Sequence, residues 1–402
     1  MLLRLALLPL LLAACPGSPD GRPDVGHTEP ADAVAAPTDA SAGAPDAGPP
    51  DFEDAADLPP DSGPAGDVGS DVGAPPTPLP LALSDAVLVG PPGAIDMTAA
   101  GFEGEQGPLV VFERFDADFL SAKHWVTRLE PAPVGGWSGA ALLEPQPPDA
   151  FVAAPSSVEV GGERWLYGAR ASTLQGAAAL FRARLEAAGF GAAQALPAIG
   201  GVGSLLAWPR FFDLPDGRVG VAFRDGASRP RLALSADGQA FATPVTVGPP
   251  GAMADACAFA DGTLLFTYQT EDAPMTSWLR ISRDGGATWT PAQKVTESST
   301  NVHDTAPVRR LDGAVDLYYI YPAGGAGFSL FRRAVSAAGA LGPEQQVTAF
   351  EVGDTSKPGA TRLRDGRLLL TWAEISARAP ATGEPTEQRL WLALLSGDAP
   401  AP

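Results

Sequence analysis

Carboxylates and guanidinium groups recur at related points along this 402-residue chain. Asp96, Asp149, Asp255, Asp304 and Asp354 each stand just before or within an apolar run that opens a repeat, and Trp208-Pro-Arg210 occupies the same place in one further repeat. Arg114, Arg170, Arg224, Gln269, Tyr321 and Glu374 each close the run that follows. Carboxyls brought together out of water divide general-acid and general-base work between them. Guanidinium groups take up carboxylates bidentately, and an indole offers a flat amphipathic surface. Strand ends are also polar because they meet water, and aspartate before a strand is a common turn residue. The pattern leaves both readings open: a site for a polar organic ligand, or a set of solvated turns.

The elements that would position these side chains are short strands. Each second strand starts at a glycine: Gly107-Pro-Leu-Val-Val-Phe112, Gly162-Glu-Arg-Trp-Leu-Tyr167, Gly217-Arg-Val-Gly-Val-Ala-Phe223, Gly262-Thr-Leu-Leu-Phe-Thr-Tyr268, Gly313-Ala-Val-Asp-Leu-Tyr-Tyr319 and Gly366-Arg-Leu-Leu-Leu-Thr-Trp372. Asp216, Asp261, Asp312 and Asp365 precede four of those glycines and complete the Asp-Gly signature of a tight hairpin. Third strands end in Thr127-Arg-Leu-Glu130, Ala183-Arg-Leu-Glu186, Leu232-Ala-Leu-Ser235, Leu279-Arg-Ile-Ser282, Arg333-Ala-Val-Ser336 and Ala393-Leu-Leu-Ser396, whose last residues lie 56, 49, 47, 54 and 60 positions apart. Short fourth strands are expected at Ala140–Leu143, Ala193–Leu196, Val245–Val247, Gln293–Thr296 and Gln345–Thr348. Strand-rich repeats near this length predict an all-β, six-bladed β-propeller of four-stranded antiparallel blades over residues 81–402. The sixth repeat lacks a fourth strand. Val87-Leu-Val-Gly-Pro-Pro-Gly-Ala94 echoes Val245-Thr-Val-Gly-Pro-Pro-Gly-Ala252, so Val87–Val89 are expected to complete the last blade and close the ring. The long insertion Ser376–Gln388 is a lid candidate.

Ser282-x-Asp284-x-Gly286-x-Thr288-Trp289 resembles the Asp box, or BNR repeat, of the sialidase-like propellers, and Ser235-Ala-Asp-Gly-Gln-Ala-Phe241 resembles a version one residue shorter. The resemblance implies that Ser282, Asp284, Gly286 and Trp289 form a structural hairpin on the face opposite a ligand pocket. It also implies which residues would serve in a sialidase: Arg114, Arg170 and Arg224 as the triad for a substrate carboxylate, Tyr321 as nucleophile assisted by Glu374, and Asp96 as acid/base. The family's Arg-Ile-Pro signature is absent, and Ile95-Asp-Met-Thr-Ala99 stands in its place. Two functions follow as expectations. The first is a binding or scaffold module for a glycan or protein, with Arg114, Arg170, Trp208, Arg210, Arg224, Asp255, Asp304 and Asp354 around the ligand. The alternative is exo-α-sialidase-like hydrolysis.

Composition supplies an address. Residues 1–14 read as a bacterial lipoprotein signal peptide, because one arginine precedes roughly ten apolar residues, too few to span a bilayer. Leu12-Ala-Ala-Cys15 resembles the lipobox, which implies acylation of Cys15 and anchoring in the cell envelope, at the outer membrane since Pro16 follows the cysteine. Residues 15–80 are expected to be a disordered tether, for 16–80 hold thirteen acidic residues against Arg22, and such like charge with little apolar content cannot offset the entropy of ordering. The net charge of −20 disfavours nucleic acid as a partner. No cofactor is expected, and with three histidines and no Cys/His cluster, no metal either. Cys257 is expected to be a buried thiol.

Overall fold

The structure, a computed structural model, describes residues 86–395 apart from 118, 131–135, 146, 271–274, 299–300, 323–327, 349–353 and 380–384. The expected signal peptide over residues 1–14, Cys15 and the expected tether through residue 80 lie outside the described residues. Among the described residues there is no α-helix, and one 3-10 turn, Leu205–Ala207, interrupts an all-β chain.

Three repeats form discrete four-stranded antiparallel sheets, each a simple meander. One holds Arg210–Asp213, Val219–Arg224, Pro230–Ser235 and Val245–Thr246. The next holds Ala252–Ala258, Leu264–Gln269, Ser277–Ser282 and Gln293–Lys294. The third holds His303–Arg309, Val315–Pro322, Phe328–Val335 and Gln345–Gln346. The remaining strands belong to one 13-stranded sheet. Its meanders start at Ile95–Gly104, Phe151–Val160 and Asp354–Arg362, and single parallel bridges, Ala122↔Phe151 and Ile95↔Gln388, join them.

Glycine-led hairpins join first strands to second. Asp216, Asp261, Asp312 and Asp365 each accept a hydrogen bond at Oδ1 from the amide two residues on, at 3.1, 2.9, 3.0 and 2.9 Å. The intervening glycines take φ of 84–88°, a region costly for any residue with a Cβ.

The second strands are buried on both faces. Leu265 packs in one apolar cluster while Leu264, Phe266 and Tyr268 pack in another. Likewise Tyr319 and Tyr321 face one neighbour while Tyr318 and Ile320 face the next. A period of two splits each strand between two flanking sheets, so both halves must be apolar. Each large side chain buried this way contributes roughly 1.5–3 kcal/mol. The clusters succeed one another from repeat to repeat, and one of them joins Leu369, Leu390 and Leu392 of the last repeat to Val110 and Phe112 of the first.

Two contacts join the first and last described strands. Ala86–Val89 pairs antiparallel with Leu390–Ala393, as the Gly-Pro-Pro-Gly echo anticipated. The flanks of the lid candidate Ser376–Gln388 are strand extensions, and its tip, residues 380–384, lies outside the described residues. Leu368–Arg378 and Pro385–Leu395 run as one long hairpin, and Gln388 donates its amide to the Ala94 carbonyl at 2.9 Å. Extending both strands satisfies backbone groups that a loop would leave to water.

Candidate functional site

Near its start, the first strand of five repeats breaks register with its neighbour: Asp96/Ala99, Ala153/Ser156, Ala252/Ala254, His303/Ala306 and Ser356/Gly359. Ala154, Met253, Asp304 and Lys357 sit at four of these bulges with φ of 55, 36, 36 and 47°, and Trp208, just before the remaining first strand, has φ 47°. Non-glycine residues in that region cost roughly 1–3 kcal/mol each, and such bulges re-aim side chains beside functional sites. Proline follows Ala154, Trp208 and Lys357.

Charged groups meet where these strands converge. Arg210, Asp255, Asp304 and Lys357 border one small cavity of about 10 Å³. Lys357 Nζ lies 3.2 Å from Asp304 Oδ1 and 5.4 Å from the centroid of the Trp208 ring, and both ionic groups are buried. Burial opposes ionisation of Asp304, but Lys357 and His303 prevail and hold its carboxyl below the usual range. His303 is itself buried, and that pushes its imidazole down to about 4. Arg210 and Asp255 also line the larger cavity, about 640 Å³, that runs along the first strands to the hairpins at Gly161-Gly162, Pro215–Gly217 and Leu311. The described contact of Arg210 is a long one, Nη2 to Thr98 Oγ1 at 3.4 Å. The Asp255 carboxyl accepts one described hydrogen bond, from the next amide, Ala256 N, at 2.7 Å. Burial raises it to about 6 despite the attraction of Arg210.

Arg114, Arg170, Arg224, Tyr321, Glu374 and Asp96 do not join them. Arg114 is committed to fully buried Asp96, with Nη2 to Oδ2 at 2.8 Å, and lies over the Trp125 ring at 4.5 Å. Arg170 pairs with Asp149 at 3.2 Å, and Arg224 Nε donates to the Leu206 carbonyl at 2.9 Å. None of the three arginines borders either cavity. Tyr321 stacks on Phe331 at 3.9 Å, and its hydroxyl donates to Glu344 Oε1 at 2.6 Å. Burial, with Glu344 beside it, raises that phenol well above its ordinary range. Glu374 accepts from the indole nitrogen of Trp391. Asp354 opens its strand, and its side chain lies outside the described residues. Among the described residues no group of three or more His, Cys, Asp or Glu side chains gathers as a metal site requires.

Two participants escaped the sequence. Glu113, fully buried, accepts the Ala154 amide at 2.8 Å through Oε2, while Oε1 has no hydrogen-bond partner. Burial raises its carboxyl against the pull of Arg210 and Lys357. The signal was a glutamate directly after an apolar run, Leu109-Val-Val-Phe-Glu113. Lys357 is one of three lysines in the chain and precedes Pro358, as Trp208 precedes Pro209.

On the Ser282–Trp289 hairpin, Asp284 Oδ1 accepts from Ser282 Oγ and from Thr288 N, both at 2.8 Å, and Trp289 Nε1 donates to the Gly286 carbonyl at 3.1 Å. Gly286 has φ +92°, and a Cβ there would stand 3.0 Å from Leu232. The shorter hairpin repeats this: Asp237 Oδ1 accepts from Ser235 Oγ at 3.0 Å and Gln239 N at 2.8 Å.

No family model matches the chain, and no curated protein matches it in sequence. Solved structures do match. A protein of unknown function from Dyadobacter fermentans aligns at TM-score 0.60 and 16% identity, over 78% of this chain and 98% of that one. The intramolecular trans-sialidase of Ruminococcus gnavus aligns at 0.55 and 10%, over 75% and 94%. The α-L-arabinanase of Penicillium chrysogenum aligns at 0.53 and 13%, over 78% and 98%. Identities this low speak for architecture alone, and by that measure the chain has the sialidase-like β-propeller fold that these glycosidases share.

Proposed function

We propose that this chain is a six-bladed propeller that binds an acidic saccharide in its axial cavity, between Arg210 and Asp255, and serves as a binding module rather than a sialidase. The observation that carries the reading is Arg210. It is a guanidinium on the wall of a 640 Å³ cavity whose described partner is one neutral hydroxyl at 3.4 Å. A sugar carboxylate would give it the bidentate partner that it lacks. The count of six rests on the apolar clusters between successive repeats, one of which joins last to first. Against sialidase chemistry, Arg114, Arg170 and Arg224 are each spent on a partner outside the cavity, and Tyr321 and Glu374 are held apart by Glu344 and Trp391.

A glycan array probed with the full chain tests the proposal. Retention of uronic-acid or sialic-acid glycans, lost in Arg210→Ala, supports it, whereas binding that survives Arg210→Ala sinks it.

Export under residues 1–14 and anchoring through acylated Cys15 in the cell envelope belong to the same proposal and rest on the sequence alone. Cys15→Ser is expected to move the protein out of the detergent phase, and unchanged partitioning would refute the anchor.

A further inference from the structure

Four ionisable groups border the small cavity beside Arg210, buried Glu113 lies within the reach of its two cations, and the charges of the five do not balance. Two are cations, Arg210 and Lys357. Three are carboxyls, Glu113, Asp255 and Asp304. Lys357 is committed to Asp304 at 3.2 Å, which leaves Arg210 to serve both Glu113 and Asp255. Glu113 is sealed, with one oxygen on the Ala154 amide and the other unpartnered. Asp255 borders the cavity and is held by one described hydrogen bond. An incoming carboxylate on Arg210 would add a fourth acid against the same two cations. Like charges at such distances cannot all remain ionised in a site of low polarity.

We infer that Asp255 takes up a proton when a sugar carboxylate docks on Arg210, so that it meets the ligand as a hydrogen-bond donor and makes binding proton-coupled. The inference rests on the axial binding site proposed above. The proton comes from solvent, adds to Asp255 Oδ2 and breaks no bond in the ligand. Asp255 rather than Glu113 does this because its carboxyl reaches the cavity. Its neutral form is already close at hand, for burial holds it at about 6. The groups around it fit that role. From the preceding repeat come Arg210 and Asp213, and Asp213 is paired with Arg309 of the following repeat at 2.7 Å. Asp304 of that following repeat is neutralised by Lys357. Cys257, on its own strand, is an unionised thiol pushed up to about 12 by burial. His303 stays neutral, since burial holds it at about 4. None of these competes for the proton near pH 7. Asp255 thereby also becomes a specificity residue, since a neutral sugar would bring no charge to offset.

Calorimetric titration of the full chain with digalacturonate tests this, in phosphate and in Tris at pH 7. The two buffers release protons with very different heats. The expected result is uptake of close to one proton per ligand, and an affinity that falls about tenfold per pH unit above pH 6. Arabinobiose, uncharged, is expected to bind with no uptake if it binds at all. Asp255→Asn should retain digalacturonate with a flat pH profile. Digalacturonate binding with no proton uptake overturns this inference and leaves the axial site standing, as does an undiminished pH slope in a folded Asp255→Asn variant. Failure of digalacturonate to bind at any pH between 5 and 8 overturns both.

Discussion

Asp255 and Asp284 belong to one four-stranded sheet, yet their carboxyls differ by about four pH units in opposite directions from the ordinary value. Asp284 lies on the hairpin between the third and fourth strands, where Thr288 and Ser282 supply hydrogen bonds to both oxygens and hold it down to about 2. Asp255 lies on the first strand, where burial dominates and one amide bond does not compensate, so that it rises to about 6. A carboxylate saturated with donors has finished its work within the fold. One left short of donors in a cavity is free to engage something else, and that distinction, rather than residue type, separates the scaffold from the site.

The largest effect is expected on the scaffold side. Trp289→Ala removes the ring that meets Phe266 edge-on at 5.7 Å and should cost about 3 kcal/mol in urea unfolding while leaving ligand affinity unchanged. An equal loss of affinity would erase the distinction between the two regions. Next is Arg210→Ala, which should weaken an acidic saccharide by about 2 kcal/mol, roughly thirtyfold, with stability little altered. Asp284→Asn should lower the melting temperature modestly at pH 7. The Asp284 carboxyl is depressed in the folded protein, so its stabilisation is present above the unfolded value of about 4 and is lost as pH falls through about 2. The gap between wild type and variant should therefore close in acid, and a gap that widens would refute the assignment. The smallest effect belongs to Asp255→Asn, with the reverse sign. Its carboxyl is raised on folding, so wild type loses stability as pH rises from about 4 through 6. The variant should match wild type near pH 4 and melt higher above pH 6.

Hairpins were the most legible part of the fold. Asp216, Asp261, Asp312 and Asp365 reach an amide two residues away, so the information that makes each turn is local. The pairing of Val87–Val89 with the last strand was legible for a different reason, since Val-x-Val-Gly-Pro-Pro-Gly-Ala recurs at a fourth strand elsewhere. The site was only partly legible. Arg210, Asp255 and Asp304 were nominated from their register and do meet, but Arg114 and Arg170 hold equivalent registers and are consumed by Asp96 and Asp149. Strand register specifies the end of the sheet a side chain occupies, and nothing in it says which neighbour will claim the charge. Glu113 and Lys357 are bonded to partners 41 and 53 residues away, a relation no local pattern carries.

Spacing of glycines, short apolar runs and Asp-Gly turns was therefore enough to establish strands and hairpins, because those depend on backbone preferences and contacts within a few residues, whereas the parallel bridges that merge three repeats into one 13-stranded sheet were not foreseen. Which carboxyls are satisfied and which are left wanting was decided only when strands of different repeats were packed together. Burial and charge pairing are properties of the assembled neighbourhood, and the free energy of an ionised side chain is set by everything that surrounds it.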